Sequence, residues 1–260
     1  MSLYRAEGVV LRTYKLGETD RIVVFMTAAH GKVRAVAKGV RKIKSRFGGR
    51  LESPNRLSLL LYEGRELHVV TQAETLDHHR ALREDLGLMT EAMSVVEAVD
   101  QLAQDHEPNP ALYRMLVDAL ATLARRPSAL LVAGFYWKAL ALEGMAPVVD
   151  SCVRCGAGAN GDQAALVVLD WQEGGALCSS CRVSAVGSLG AAEVTPGALR
   201  AIQLILGGQL RHALATPAGP VAREVTALAT GALEAHLERR LRVARTMAGT
   251  GVVGSHETLR

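Results

Sequence analysis

The chain carries four cysteines, and all four fall in one unit: Cys152-x2-Cys155, then 22 residues, then Cys178-x2-Cys181. Two residues between thiolates place both sulfurs of a knuckle on one side of a turn, and two such knuckles complete a tetrahedral Zn2+ site. The intervening stretch is a little longer than the roughly 15–20 residues usual for such sites, an excess that a hairpin absorbs. Ala165–Trp171 reads as a strand, Glu173-Gly174-Gly175 as a turn and Ala176–Cys178 as a return strand, the build of a zinc ribbon. Four thiolates leave no open position, so the ion, one per chain, is expected to be structural and not catalytic. Disulfides are the alternative. The opening MSLYRAEGVV lacks the apolar core of a secretory signal, and a chain expected in the cytoplasm disfavours them. A thioredoxin-like redox pair would leave the second Cys-x2-Cys unexplained. Arg154 and Arg182 flank the knuckles and would offset the charge of a tetrathiolate centre.

A second group of residues suits a polyanion. Residues 31–50, GKVRAVAKGVRKIKSRFGGR, hold Lys32, Arg34, Lys38, Arg41, Lys42, Lys44, Arg46 and Arg50 and no acidic residue. Val33, Ala35 and Ala37 alternate with Lys32, Arg34, Val36 and Lys38, the period-2 pattern of a half-buried strand. Gly39, Gly48 and Gly49 then bracket a turn-rich loop. A sheet that presents such a loop beside its own basic face fits the phosphate backbone of nucleic acid. The charge is local: residues 1–80 hold 15 Lys and Arg against 8 Asp and Glu, whereas the other 180 residues hold 15 against 18. A basic N-terminal module on a mildly acidic body suggests two halves with different tasks.

At 260 residues and 49% hydrophobic content the chain can bury a large core and hold two domains. Leu3–Tyr14, Arg21–Thr27, the basic strand, Leu57–Tyr62 and Glu66–Thr75 read as five strands, the last two forming a hairpin around Glu63-Gly64-Arg65. Five strands with one long loop suit an OB-fold barrel, and an SH3-like barrel fits nearly as well. From residue 81 the period becomes helical. One stripe is Ala92, Val95, Val96, Val99, Leu102 and Ala103; a second runs from Leu112 to Leu123 behind an Asn109 cap and Pro110. Further helices are expected over Ala129–Glu143, from Thr195-Pro196 to Gly207-Gly208, and over 221–245. The fold class is therefore α+β. An N-terminal five-stranded OB-fold barrel (1–80) precedes an all-helical domain (81–245) carrying an inserted four-cysteine zinc ribbon at about 150–184. Residues 246–260, rich in Gly, Ser and Thr, are expected to be a disordered tail.

Other signals carry less. Gly156-Ala157-Gly158-Ala159-Asn160-Gly161 matches G-x-G-x-x-G but follows a cysteine knuckle and opens no helix, so it fails the dinucleotide context. No His-x3-His pair and no nucleophile elbow is present, and adjacent carboxylates such as Glu84-Asp85 do not face each other on a helix. The chain is not expected to be an enzyme. Phe135-Tyr136-Trp137 is expected in a helical core, and Tyr4, Tyr14, Phe25 and Tyr62 in the barrel core.

Tyr4-Arg5, Val9-Val10-Leu11-Arg12 and Leu16-Gly17-Glu18-Thr19-Asp20-Arg21-Ile22-Val23 resemble the opening of the RecO family of bacterial DNA repair proteins. So do Gly31 through Lys42, Ser45-Arg46-Phe47-Gly48-Gly49 and Leu51-Glu52, the four-cysteine insert, and Ala235-His236-Leu237-Glu238-Arg239-Arg240-Leu241. The likeness covers roughly residues 1–245. It implies a recombination mediator that binds single- and double-stranded DNA, anneals complementary strands and acts with RecR and RecF to load RecA onto SSB-coated DNA. It also implies binding of the acidic, apolar C-terminal tail of SSB, a cytoplasmic, nucleoid-associated location and no membrane. One departure is Ser53-Pro54-Asn55, where the family usually has Pro-Phe after Leu-Glu. The alternative is an RNA-binding or transcription-associated OB/zinc-ribbon protein that uses the same barrel on RNA, and a zinc enzyme is disfavoured by the closed ligand set.

Overall fold

The computed structural model describes residues 2–158, 165–182 and 190–243, so the expected tail at 246–260, Arg245 and the second half of the glycine motif lie outside the described residues. The chain divides into two compact units, Met1–Arg126 and Pro127–Arg260.

The first unit opens with a barrel of β1 (Leu3–Leu16), β2 (Asp20–Thr27), β3 (Gly31–Ala37), β4 (Arg56–Tyr62) and β5 (His68–Asp77). Their order is closed, β1-β2-β3-β5-β4, with β3 parallel to β5 and β4 returning to β1. This is the OB-like arrangement of the two barrels the sequence allowed. Alternate residues fill the interior: Val10, Val23, Phe25, Val33, Ala35, Leu57, Leu59, Leu61 and Val70 are buried together. One irregularity redirects a strand. The β1–β2 register jumps between Val10 and Arg12, so Leu11 is an extra residue. Val10 pairs with Phe25 inside the barrel, whereas Arg12, Tyr14 and Leu16 pair with Val24, Ile22 and Asp20, which alternate with the core residues Val23 and Phe25. A one-residue shift exchanges the two faces of a strand.

The β3–β4 connection is tied to the barrel by its own apolar residues. Phe47, ahead of a short 3-10 turn (Gly48–Leu51), and Leu51 within it both join the barrel core. Truncating a fully buried aromatic residue removes its transfer energy and leaves a cavity, together about 3–5 kcal/mol. Phe47→Ala is therefore expected to destabilise the protein by about that amount in urea denaturation, while the exposed neighbour Ile43→Ala stays within about 0.5 kcal/mol of the parent.

Helices follow: α1 (Arg80–Glu84), α2 (Leu86–Leu102) and α3 (Pro110–Arg125). Asp85 caps α2 by accepting from the Leu88 N–H at 2.9 Å, and Asn109 caps α3 through Leu112 N–H at 3.0 Å. The change from strand to helix thus falls near residue 80, but these three helices belong to the same compact unit as the barrel. The connection after α2 pairs with β3: Lys32 N–H donates to Gln104 O (3.3 Å) and His106 N–H to Lys32 O (3.0 Å). Arg12 on β1 meets Asp100 on α2 at 3.0 Å.

The second unit contains α4 (Leu131–Leu142), β6 (Leu166–Asp170), β7 (Gly175–Cys178), β8 (Ala191–Glu193), α5 (Pro196–Leu206), α6 (Leu210–Leu214) and α7 (Pro220–His236). Helix α4 is apolar on nearly every side, with Phe135, Tyr136 and Trp137 all buried, because α5, α6 and α7 pack around it. The expected helix over 129–143 is shorter at both ends, and α1, α6 and β8 add elements that the periodicity did not reveal. The last helix ends at His236, not at 245. Glu238 adopts a left-handed φ of 50°, Arg239 N–H returns to Glu234 O, and Leu241 buries with its N–H on the Glu234 carboxylate at 2.7 Å. Burying Leu241 replaces the glycine stop that a sequence reading looks for.

Candidate metal centre and nucleic-acid interface

Strands β6 and β7 form the predicted hairpin, and its turn is fixed by Asp170, whose carboxylate accepts from Gln172 N–H (2.9 Å) and Glu173 N–H (3.1 Å). Gly174 takes a left-handed φ of 77° to close it. Val153 N–H donates to Ala176 O at 2.9 Å, laying the first knuckle against β7, and Cys181 N–H donates to Cys178 O at 3.0 Å in the second. The sulfurs of Cys152, Cys155, Cys178 and Cys181 consequently lie within 4.8 Å of one another. Cys155 Sγ and Cys178 Sγ are 3.7 Å apart. A tetrahedron with metal–sulfur bonds of about 2.3 Å has edges of about 3.8 Å, so the cluster can hold a metal ion of zinc's size. Burial pushes the Cys152 thiol up, but the backbone N–H groups of Cys155, Cys178 and Arg154 outweigh it and bring the group down to about 6. Cys181 is pushed up to about 12 by its contacts with Cys178 and Cys155. The flanking arginines are paired, Arg154 with Glu173 at 2.6 Å and Arg182 with Glu193 at 3.0 Å. They hold the hairpin's turn and its third strand.

In the basic stretch, position decides role. Lys32 lies on the outer face of β3 but is buried against α2: it is 9% exposed, its Nζ donates to the Asp100 carbonyl at 2.8 Å and lies 3.8 Å from Asp105. Burial lowers its pKa, opposed by Asp100 and Asp105. Arg34 is outside on the same strand and meets Asp105 at 2.8 Å. Lys38, Arg41, Lys42, Lys44, Arg46 and Arg50 are all exposed. Among the described residues no ion pair joins any of these six to a carboxylate.

The loop that carries them is held at several points. Gly39, at a left-handed φ of 66°, donates its N–H to Asp20 Oδ1 at 2.7 Å. Arg41 N–H donates to Thr19 O, and its guanidinium to Glu18 O at 2.8 Å and Gly17 O at 3.3 Å. The loop therefore rests on the β1–β2 turn. The hydrogen bonds from Gly39 and Thr19, with the nearby Lys38 and Lys42, hold the Asp20 carboxyl below its usual range. Arg46 stacks 4.8 Å over the Phe47 ring, and Arg50 donates to Arg46 O at 2.8 Å. The loop exit, where the chain departs from the resembled pattern, is fixed by Asn55. Its amide donates to Gly49 O (3.1 Å) and Arg50 O (2.9 Å), and its Oδ1 accepts from Arg83 at 3.0 Å.

Two tyrosines expected in the barrel core are not there. Phe25 is buried and Tyr4 half-buried, but Tyr14 is 43% and Tyr62 39% exposed. For Tyr14 the reason is the extra residue at Leu11. In the second unit, a groove of about 490 Å3 is lined by Trp137, Leu140, Met145, Trp171, Ala232 and His236 among others. Trp137 is fully buried there, and its Nε1 has no acceptor among the described residues. Arg239, Arg240 and Arg242, expected on the last helix, are exposed just beyond its end.

Residues 1–79 match the family described as recombination protein O N terminal, and residues 83–245 match recombination protein O C terminal. The chain is 40% identical over 249 residues to a DNA repair protein RecO of Bifidobacterium longum, covering 94% of this chain and 98% of the relative. It is 42% identical over 246 residues to DNA repair protein RecO of Frankia casuarinae, covering 93% and 97%. With that of Cutibacterium acnes it shares 46% identity over 164 residues, covering 60% and 67%. With an OB-like barrel, a helical region and a four-cysteine cluster all in place along those matches, the chain belongs to the recombination protein O family of DNA repair proteins.

Proposed function

We propose that this protein is a non-enzymatic recombination mediator. It binds single- and double-stranded DNA without sequence preference, anneals complementary strands and, with RecR and RecF, helps load RecA onto SSB-coated single strands. The observation that carries the reading is the loop of exposed cations anchored beside an OB-like barrel. Annealing requires that the phosphate charge of two strands be neutralised while their bases stay accessible, which lysines and arginines on a held loop provide. Lys38, Arg41, Lys42, Lys44, Arg46 and Arg50 are assigned to phosphates. Arg34 lies at the edge of that surface, and Lys32 supports it from beneath through Asp100. Zn2+, one per chain, would be held by Cys152, Cys155, Cys178 and Cys181. The protein would work in the bacterial cytoplasm at the nucleoid.

The groove in the second unit suits the SSB tail, an acidic segment ending in apolar residues. Its tryptophan-rich lining takes apolar side chains, Trp137 Nε1 offers a buried donor, and Arg239, Arg240 and Arg242 follow closely after His236. Strand annealing on bare and SSB-coated complementary oligonucleotides tests the whole reading. The protein is expected to accelerate annealing on both, and with SSB lacking its tail the coated reaction alone should slow. A protein that accelerates neither refutes the reading.

A further inference from the structure

Helix and strand contacts account for most of the aromatic residues, but Tyr14 is placed on the outside of the barrel by a specific device. Without the extra residue at Leu11, alternation from the buried Val10 would point residues 12, 14 and 16 into the core. With it, Tyr14 pairs with Ile22, which pairs with Val36, so the three form one outward row across β1, β2 and β3. Ile22 and Val36 are both half-buried, and Leu16, next on the same face of β1, is 38% exposed. The adjoining row is Arg12, Val24 and Arg34. The exposed part of this outer face is therefore the Tyr14–Ile22–Val36 row, between a row in which Val24 is buried and Arg12 and Arg34 are paired with Asp100 and Asp105, and the Leu16–Asp20 pair.

Tyr14 is also held in position. The Arg12 guanidinium lies 5.0 Å from the centroid of its ring, and Arg12 is in turn fixed by the Asp100 carboxylate at 3.0 Å. A cation against a ring restrains it and leaves its exposed part for a second partner. The basic loop is close by. Arg41 clasps the carbonyls of Gly17 and Glu18, and Gly17 is three residues, or about 10 Å of strand, beyond Tyr14. Through Arg41 the basic loop rests on the same end of β1 that carries the exposed ring, the plan of single-strand sites, in which a basic track carries the backbone and aromatic rings carry the bases. An aromatic row with no such cations beside it would fit a protein partner equally well. Here the charge selects nucleic acid.

We infer that Tyr14 stacks on a base of single-stranded nucleic acid whose phosphates lie on the 38–50 loop, with Ile22 and Val36 completing the contact strip. This rests on the DNA-binding reading above and adds to it a contact to bases that paired duplex DNA cannot make in the same way.

The test uses the full chain and two probes at several salt concentrations: a thymidine oligonucleotide and an abasic deoxyribose-phosphate strand of equal length. Tyr14→Ala is expected to weaken thymidine binding by roughly 5- to 150-fold, the range for loss of one stacked base. It should leave abasic binding and both salt slopes unchanged, and Tyr14→Phe should bind as the parent does. Equal losses by Tyr14→Ala on both probes, or none on either, overturn the stacking assignment while the DNA-binding reading stands. A parent protein that binds neither probe overturns both.

Discussion

Cys155→Ser, or removal of metal by a strong chelator, is expected to unfold the hairpin insert and lower the stability of the second unit. The parent should contain close to one zinc per chain. The four sulfurs lie within 4.8 Å of one another in a part of the chain whose β6–β7–β8 sheet has strands of only five, four and three residues. Such short strands form a poor core by themselves. Apparent binding energies for structural zinc are about 10–16 kcal/mol, and metal binding there is coupled to folding. Differential scanning calorimetry with metal analysis should therefore show an early transition in the variant that zinc cannot reverse. DNA affinity should be largely retained, because the loop at residues 38–50 belongs to the other compact unit. Full stability in a metal-free protein, or cysteines recovered as disulfides, would contradict the assignment.

The second large effect concerns charge. Changing Arg41, Lys42 and Lys44 together to Ala is expected to weaken binding to every single-stranded sequence alike. It should also flatten the log–log salt dependence by roughly two units, since each neutralised phosphate contributes about 0.7 on single strands. The fold should survive the loss of the Arg41 contacts to Gly17 O and Glu18 O, because the Arg41 and Gly39 backbone N–H groups still bond Thr19 O and Asp20, and Phe47 and Leu51 keep the loop attached to the barrel. Circular dichroism and a urea midpoint check that point, and fluorescence anisotropy from low to high salt gives the slope. An unchanged affinity and slope would return the stretch to the role of a solvated face.

Spacing along the chain determined much of this molecule. The two Cys-x2-Cys pairs, the hairpin between them and the caps at Asn109 and Thr195 are local features, and local chemistry settles them: the Thr195 hydroxyl accepts from Ala198 N–H at 3.3 Å. The five strands were legible as short apolar-rich runs bounded by turn residues, with clear alternation in β3, and the helix stripes because apolar residues recur about every 3.6 residues. What sequence could not give was whatever depends on a partner distant in the chain. Periodicity cannot separate an OB-like from an SH3-like barrel, since that rests on β3 meeting β5 in parallel and β4 returning to β1. It cannot see that a lysine in a basic run is buried against a helix, because Asp100 lies 68 residues away. It placed Tyr14 in the core, since one extra residue at Leu11 reverses every later side chain and no residue type announces it. The last helix likewise stops at His236 without a glycine, where the chain turns back to bury Leu241 with its N–H on the Glu234 carboxylate. Local patterns thus set the elements and the four-cysteine cluster, and long-range packing decided which cations and which rings face the solvent.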